Sequence, residues 1–118
     1  MSYAVVFSSK TGNTELLAKT IREALGTDGC VYFGMPDAAA LKADTLYVGF
    51  WTDKGTCDGA SAAFLSTLEG KRVFLFGTAG FGGAQSYFDQ ILASAAKNLP
   101  QSAVEIGRFM CQGKMPEA

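Results

Sequence analysis

The sequence predicts a single α/β domain built on an open, doubly wound parallel sheet. Three observations predict it. Short apolar runs rich in β-branched and aromatic residues alternate strictly with segments of helical periodicity, their order is βαβαβαβαβ, and three of the strand runs are apolar on both faces. Strict alternation implies parallel strands joined by right-handed crossovers, so the expected five-stranded order is 2-1-3-4-5, with residues 1–118 forming one unit.

Residues 3–9 (YAVVFSS) read as a central strand ending in small hydroxyl residues. A helix follows over 11–25, with Leu17, Ile21, Ala24 and Leu25 on one face and Gly26 at its stop. Residues 30–34 form a short second strand, and the Ala-rich stretch 36–42 supplies a turn or two of helix. The third strand is 45–51 (TLYVGFW); Asp58 then caps a helix running to Leu68, with Ala60, Phe64 and Leu68 four apart. The fourth strand is 72–76 (RVFLF). The clearest helix spans 85–99, where Tyr87, Phe88, Ile91, Leu92, Ala95, Ala96 and Leu99 form one apolar face before Pro100. Residues 103–110 alternate Val104, Ile106 and Met110 against Glu105 and Gly107, the pattern of a half-exposed edge strand.

Composition narrows the chemistry. A chain of 118 residues buries roughly two-thirds of its unfolded surface, folding to about 6,100 Å², so its core needs no disulfide or metal staple. Ten Lys plus Arg against eleven Asp plus Glu, scattered singly, lack the footprint that holds a nucleic-acid backbone. No apolar run approaches the roughly 20 residues that cross a bilayer, and the N-terminus has no signal-peptide pattern. Cys30, Cys57 and Cys111, odd in number and far apart, fit reduced thiols, so the expected location is the cytoplasm, with no metal site. The absence of histidine removes every Ser-His, Cys-His and His-metal mechanism. Chemistry in this chain is therefore expected to belong to a bound cofactor.

In a sheet of this order ligands bind beyond the carboxyl ends of the strands, at the switch point between strands one and three. Three loops lie there. The first, Ser8 to Thr14, gathers hydroxyls, Gly12 and backbone N–H groups at a helix N-terminus, where partial positive charge suits a phosphate monoester; the alternative is a plain N-cap turn. It lacks the Gly-Lys-Ser/Thr triplet of a Walker A loop and the G-x-G-x-x-G of a dinucleotide fold. The second loop follows the third strand, with Trp51 as a flat apolar platform or, alternatively, a plug for the sheet end. The third, residues 77–84, holds four glycines that let backbone N–H groups approach a planar ligand edge or simply make a flexible crossover. Cys57 stands at a helix N-terminus without the arginine a Cys-x5-Arg loop needs, and reads as a small packing residue.

The hexad Ser9-Lys10-Thr11-Gly12-Asn13-Thr14, between a hydrophobic strand and a helix, resembles the [T/S]-x-T-G-N-T phosphate loop of flavodoxins. That resemblance implies FMN, its phosphate held by Ser9, Thr11, Gly12, Asn13 and Thr14, with Lys10 at the variable position pointing to solvent. Trp51, Thr52, Asp53, Lys54 and Gly55 resemble the loop that sets an aromatic beside the flavin and a glycine turn near its N5. Thr78, Ala79, Gly80, Phe81 and Gly82 resemble the second flavin-binding loop, with Phe81 as a candidate outer aromatic. The implied function is an electron carrier passing single electrons between partner proteins, a reductase and an electron acceptor. The alternative is an NAD(P)H-dependent quinone or flavin reductase of the same fold.

Two departures from the flavodoxin pattern carry further expectations. Many low-potential flavodoxins are strongly acidic, whereas this chain has net charge −1 and places Lys54 in the ring loop, so the couple to fully reduced flavin is expected to be less negative. Flavodoxins also have a helix after the fifth strand, and residues 111–118 are too few to form it. The bare sheet face this leaves over strands four and five implies either a homodimer or a chain cut short of its native end.

Overall fold

The computed structural model describes residues 2–9, 12–53, 55–79 and 85–112. A parallel sheet carries the fold: β1 (Tyr3–Phe7), β2 (Cys30–Gly34), β3 (Thr45–Asp53), β5 (Arg72–Ala79) and β6 (Val104–Gln112) pair in the order β2-β1-β3-β5-β6. A two-residue strand, β4 (Thr56–Cys57), folds back antiparallel on the end of β3. Apart from that appended hairpin, the strand order is the one the alternation predicts. The helices are α1 (Asn13–Leu25), α2 (Gly59–Leu65) and α3 (Gln85–Ala96), with 3-10 turns at Thr27–Gly29 and Ala38–Lys42.

Several elements differ in extent from the sequence reading. The turn of helix expected in the Ala-rich stretch forms as a 3-10 helix over Ala38–Lys42, started by Asp37, whose carboxylate accepts the Ala39 N–H at 2.8 Å. Helix α2 ends at Leu65 and α3 at Ala96, each short of the apolar residue expected to close it. On α1 the buried positions are Thr14 and Ala18, while Leu25 is exposed. Strands β3 and β5 instead run longer than expected, so Thr52, Asp53, Thr78 and Ala79 are strand residues and not loop residues.

Alternating side chains place a core on each side of the sheet. Beneath α2 and α3, Val6, Leu46, Val48, Phe50, Leu65, Val73, Leu75 and Ile91 are fully enclosed. Beneath α1 the core is smaller: Tyr3, Val5, Phe7, Ala18 and Phe76. Two glycines make reciprocal seats across β3 and β5. Gly49 pairs with Phe76 and Phe50 with Gly77, and a Cβ on either glycine would lie 2.3 Å or 2.5 Å from the opposing ring.

The α1 side of β5 and β6 is thinly covered. The Tyr47 and Phe74 rings stack with centroids 5.4 Å apart, and Val104, Ile106 and Phe109 are 57%, 40% and 48% exposed. Here β6 departs from the simple alternation read for it. Val73 pairs with Glu105 but Phe74 with Gly107, so Ile106 is the extra residue of a bulge. The bulge shifts the face of every later residue, which leaves Ile106 outside and puts Met110 inside.

Candidate flavin site

The carboxyl ends of β1, β3 and β5 converge at the switch point. The backbone of β1 continues its ladder one residue further through Ser8, whose N–H donates to Gly49 O at 3.1 Å. Ser9 then turns the chain: its hydroxyl oxygen accepts the Gly12 N–H at 2.9 Å and the Glu15 N–H at 3.4 Å. Gly12, at the N-cap of α1, has φ +91°. Nothing lies within 4 Å of a Cβ built there, so glycine is required by backbone conformation and not by space.

This loop has the donors a phosphate monoester needs. A hydroxyl has two acceptor sites and one proton. The two acceptor sites of Ser9 are filled by backbone N–H groups of its own loop, which leaves the proton as its remaining hydrogen-bonding capacity. The first N–H groups of a helix have no acceptor within the helix and carry its partial positive charge. Half-buried Asn13 opens that turn.

Thr14 is placed differently from its neighbours. It is 1% exposed, and its hydroxyl donates to Phe50 O at 3.3 Å and lies 2.8 Å from the Thr78 hydroxyl. With its single proton directed at Phe50 O, the contact with Thr78 is donated by Thr78. The Thr52 hydroxyl donates to Thr78 O at 2.8 Å. Thr78 is thus a hub that joins the first turn of α1 to β3 and β5. Nothing in local spacing reveals this link, because Thr14 and Thr78 are 64 residues apart.

At the carboxyl end of β3, β3 and β4 form a hairpin with Thr52 opposite Cys57 and Asp53 opposite Thr56. Gly55 has φ +85° in its turn. The sequence alone predicts a loop over this segment, and the structure closes it into a two-stranded hairpin. Trp51 is half-buried and pairs with Thr78, so both side chains stand on the α1 face of the sheet. The far strand is tied to α3 by Ser94, which donates to the Thr56 hydroxyl at 2.9 Å, and to the turn after α3 by Asn98, which donates to Cys57 Sγ at 3.7 Å. Burial pushes the Cys57 thiol above its ordinary range, which keeps it protonated and suits a packing role.

The structure brings together Ser9, Gly12, Asn13 and Thr14 at the end of α1, and Trp51, Thr52, Asp53, Gly55, Thr78 and Ala79 at the ends of β3 and β5. Ala79 is buried in the core, 3% exposed. Lys10, Thr11, Lys54, Gly80, Phe81 and Gly82 lie outside the described residues.

The sheet order and the helix-capping loop at its switch point define a flavodoxin-like α/β domain. The chain belongs to the flavodoxin family: the family model for the Flavodoxin domain matches residues 4–118. Two curated relatives carry the name flavodoxin-like domain-containing protein BilS. The one from Clostridium symbiosum is 45% identical over 135 residues, covering 99% of this chain and 70% of the relative. The one from Clostridioides difficile is 32% identical over 124 residues, covering 99% and 69%. Among solved structures, two-electron reduced Megasphaera elsdenii flavodoxin superposes with TM-score 0.66 at 22% identity, over 94% of this chain and 86% of that one. A Lactobacillus acidophilus flavoprotein in complex with FMN does so with TM-score 0.68 at 12% identity, over 92% of each. These structural likenesses establish the fold. Among the described residues no helix is long and apolar enough to cross a membrane.

Proposed function

We propose that this chain binds FMN and carries single electrons between partner oxidoreductases, a reductase on one side and an electron acceptor on the other. The observation that carries the reading is the Ser9 loop, in which the Ser9 oxygen accepts two backbone N–H groups at the N-terminus of α1 and its proton has no acceptor among the described residues. Ser9, Gly12 and Asn13 would hold the phosphate, while Trp51 and the hairpin beside it would flank the ring. The flavin supplies the redox chemistry when bound. The chain's own residues bind the phosphate, orient the ring and limit its contact with water.

Titration of FMN into the flavin-free protein, followed by loss of flavin fluorescence, tests this. Ser9→Ala removes a hydrogen bond to a charged group, worth about 1.5–3 kcal/mol, so affinity is expected to fall at least about tenfold. A wild-type protein that leaves FMN fluorescence unchanged refutes the reading. Steady-state NADPH oxidation with a quinone by the protein alone separates the carrier from the reductase alternative, and substantial turnover favours the reductase.

Three cysteines in thiol form support placement in a reducing compartment, the cytoplasm. The exposed apolar residues on the α1 side of β5 and β6 support self-association through that face. A sedimentation run that finds only monomer at high concentration refutes the dimer.

A further inference from the structure

Asp58 is 2% exposed, and the ion pairs among the described residues, Lys19 with Glu15 and Arg108 with Glu105, do not involve it. A buried carboxylate without a cation persists only when hydrogen bonds replace its water. Three donors do so here. Oδ1 accepts the Trp51 N–H at 3.3 Å and the Ser61 hydroxyl at 2.9 Å, and Oδ2 accepts the Ser61 N–H at 3.2 Å.

The geometry shows why a carboxylate stands at this point. The hairpin pairs Thr52 with Cys57 and Asp53 with Thr56, so its next rung is Trp51 with Asp58. In such a rung the two residues can exchange both N–H···O bonds. One is made in the ordinary way, Asp58 N–H to Trp51 O at 3.1 Å. The other backbone acceptor, Asp58 O, is taken by the Ala62 N–H at 3.0 Å, the first bond of α2. The Asp58 side chain fills the vacancy and accepts the Trp51 N–H in place of its own carbonyl. One residue thereby ends a strand and starts a helix with no intervening loop.

We propose that Asp58 is a positioning residue for the flavin ring, acting by fixing the backbone of Trp51; the proposal rests on the FMN reading above. Serine shows what is special about the carboxylate. A serine at this position caps α2 through its one oxygen but leaves the Trp51 N–H without its acceptor.

Two readouts on Asp58→Ser test this. In flavin-free protein, the Trp51 amide is expected to exchange with solvent at least about tenfold faster, while amides of β1 and α1 keep wild-type rates. FMN affinity is expected to fall about tenfold. Faster Trp51 exchange with unchanged FMN affinity overturns the proposal and leaves the FMN reading standing, as does Trp51 exchange that does not move. A wild-type protein that fails to bind FMN overturns both, and the wild-type titration alone reveals it. Should Asp58→Ser not fold, Asp58→Thr carries the test. Its one hydroxyl oxygen likewise caps α2 and leaves the Trp51 N–H without its acceptor, so both readouts are expected to move together by about tenfold, and movement of one alone overturns the proposal.

Discussion

Gly77→Ala adds one methyl group to a place with no room for it. A Cβ at Gly77 would meet Phe50 Cζ, Cε1 and Cε2 at 2.5, 2.6 and 2.9 Å, against the roughly 3.5–4.0 Å at which carbon atoms rest in contact. The ring would have to retreat by about 1 Å, yet Phe50 is fully enclosed. Overpacking of this kind costs about 1–3 kcal/mol, and the enclosed ring places this case near the top of the range. Removing a glycine from a strand returns about 0.5–1 kcal/mol, so the net loss is about 2 kcal/mol. With an unfolding entropy of about 250 cal/mol/K for a chain of this size, the midpoint should fall by about 8 °C. Urea titration and thermal melts of Gly77→Ala, Phe50→Leu and the double variant form the assay. Because leucine vacates the space the methyl needs, the two penalties should couple by about 2 kcal/mol. Additive penalties, or a Gly77→Ala loss below about 0.5 kcal/mol, would refute the seat as described.

The Thr78 hub makes a second stability prediction. Thr78→Val removes the donor to Thr14 while keeping volume and β-branching, so about 1 kcal/mol should be lost in urea titration, and an unchanged midpoint would contradict the link. Tyr3 predicts the alkaline behaviour. Its phenol, which donates to Gly26 O and to Arg22 O, is held above its ordinary pKa by burial first and then by Cys30. The unfolded chain therefore loses that proton at lower pH than the folded one, so the contribution is present below about pH 10 and is lost as pH rises through the raised value. Tyr3→Phe should flatten that part of the stability profile, and identical profiles would argue against it. For the bound flavin, near neutrality and Lys54 predict a couple to the fully reduced form less negative than in acidic flavodoxins. A redox titration giving the usual very low value, unaltered in Lys54→Ala, removes that expectation.

The lengths of β3 and β5 show where sequence reading reached its end. Glycine is a strand breaker by local preference, so Gly77 reads as the start of a flexible loop. In the fold it lies under Phe50 within β5, because the opposing ring fills the space its side chain lacks. The β3–β4 hairpin was hidden for a related reason, its far strand being only two residues long and held partly by Ser94 of α3 and Asn98 just beyond it. Of the candidate site residues, the Ser9 hexad was legible as the proposed phosphate loop because such a loop is local, drawn from consecutive residues between one strand and one helix. The capping role of Asp58 was legible for the same reason. Its hold on Trp51 was not, since that depends on the hairpin closing.

Alternation of apolar runs with helical segments by itself determined a parallel, doubly wound sheet and its strand order, because each run's periodicity and the handedness of crossovers leave few ways to cover both faces. The hexad by itself marked the junction of β1 and α1, the place proposed for the phosphate. Tertiary structure alone decided which hydroxyls face one another. Thr14 and Thr78 meet across 64 residues of chain, and the Ile106 bulge decides which apolar residues of β6 turn to the core. Those choices arise from register between strands, which no single segment of sequence contains.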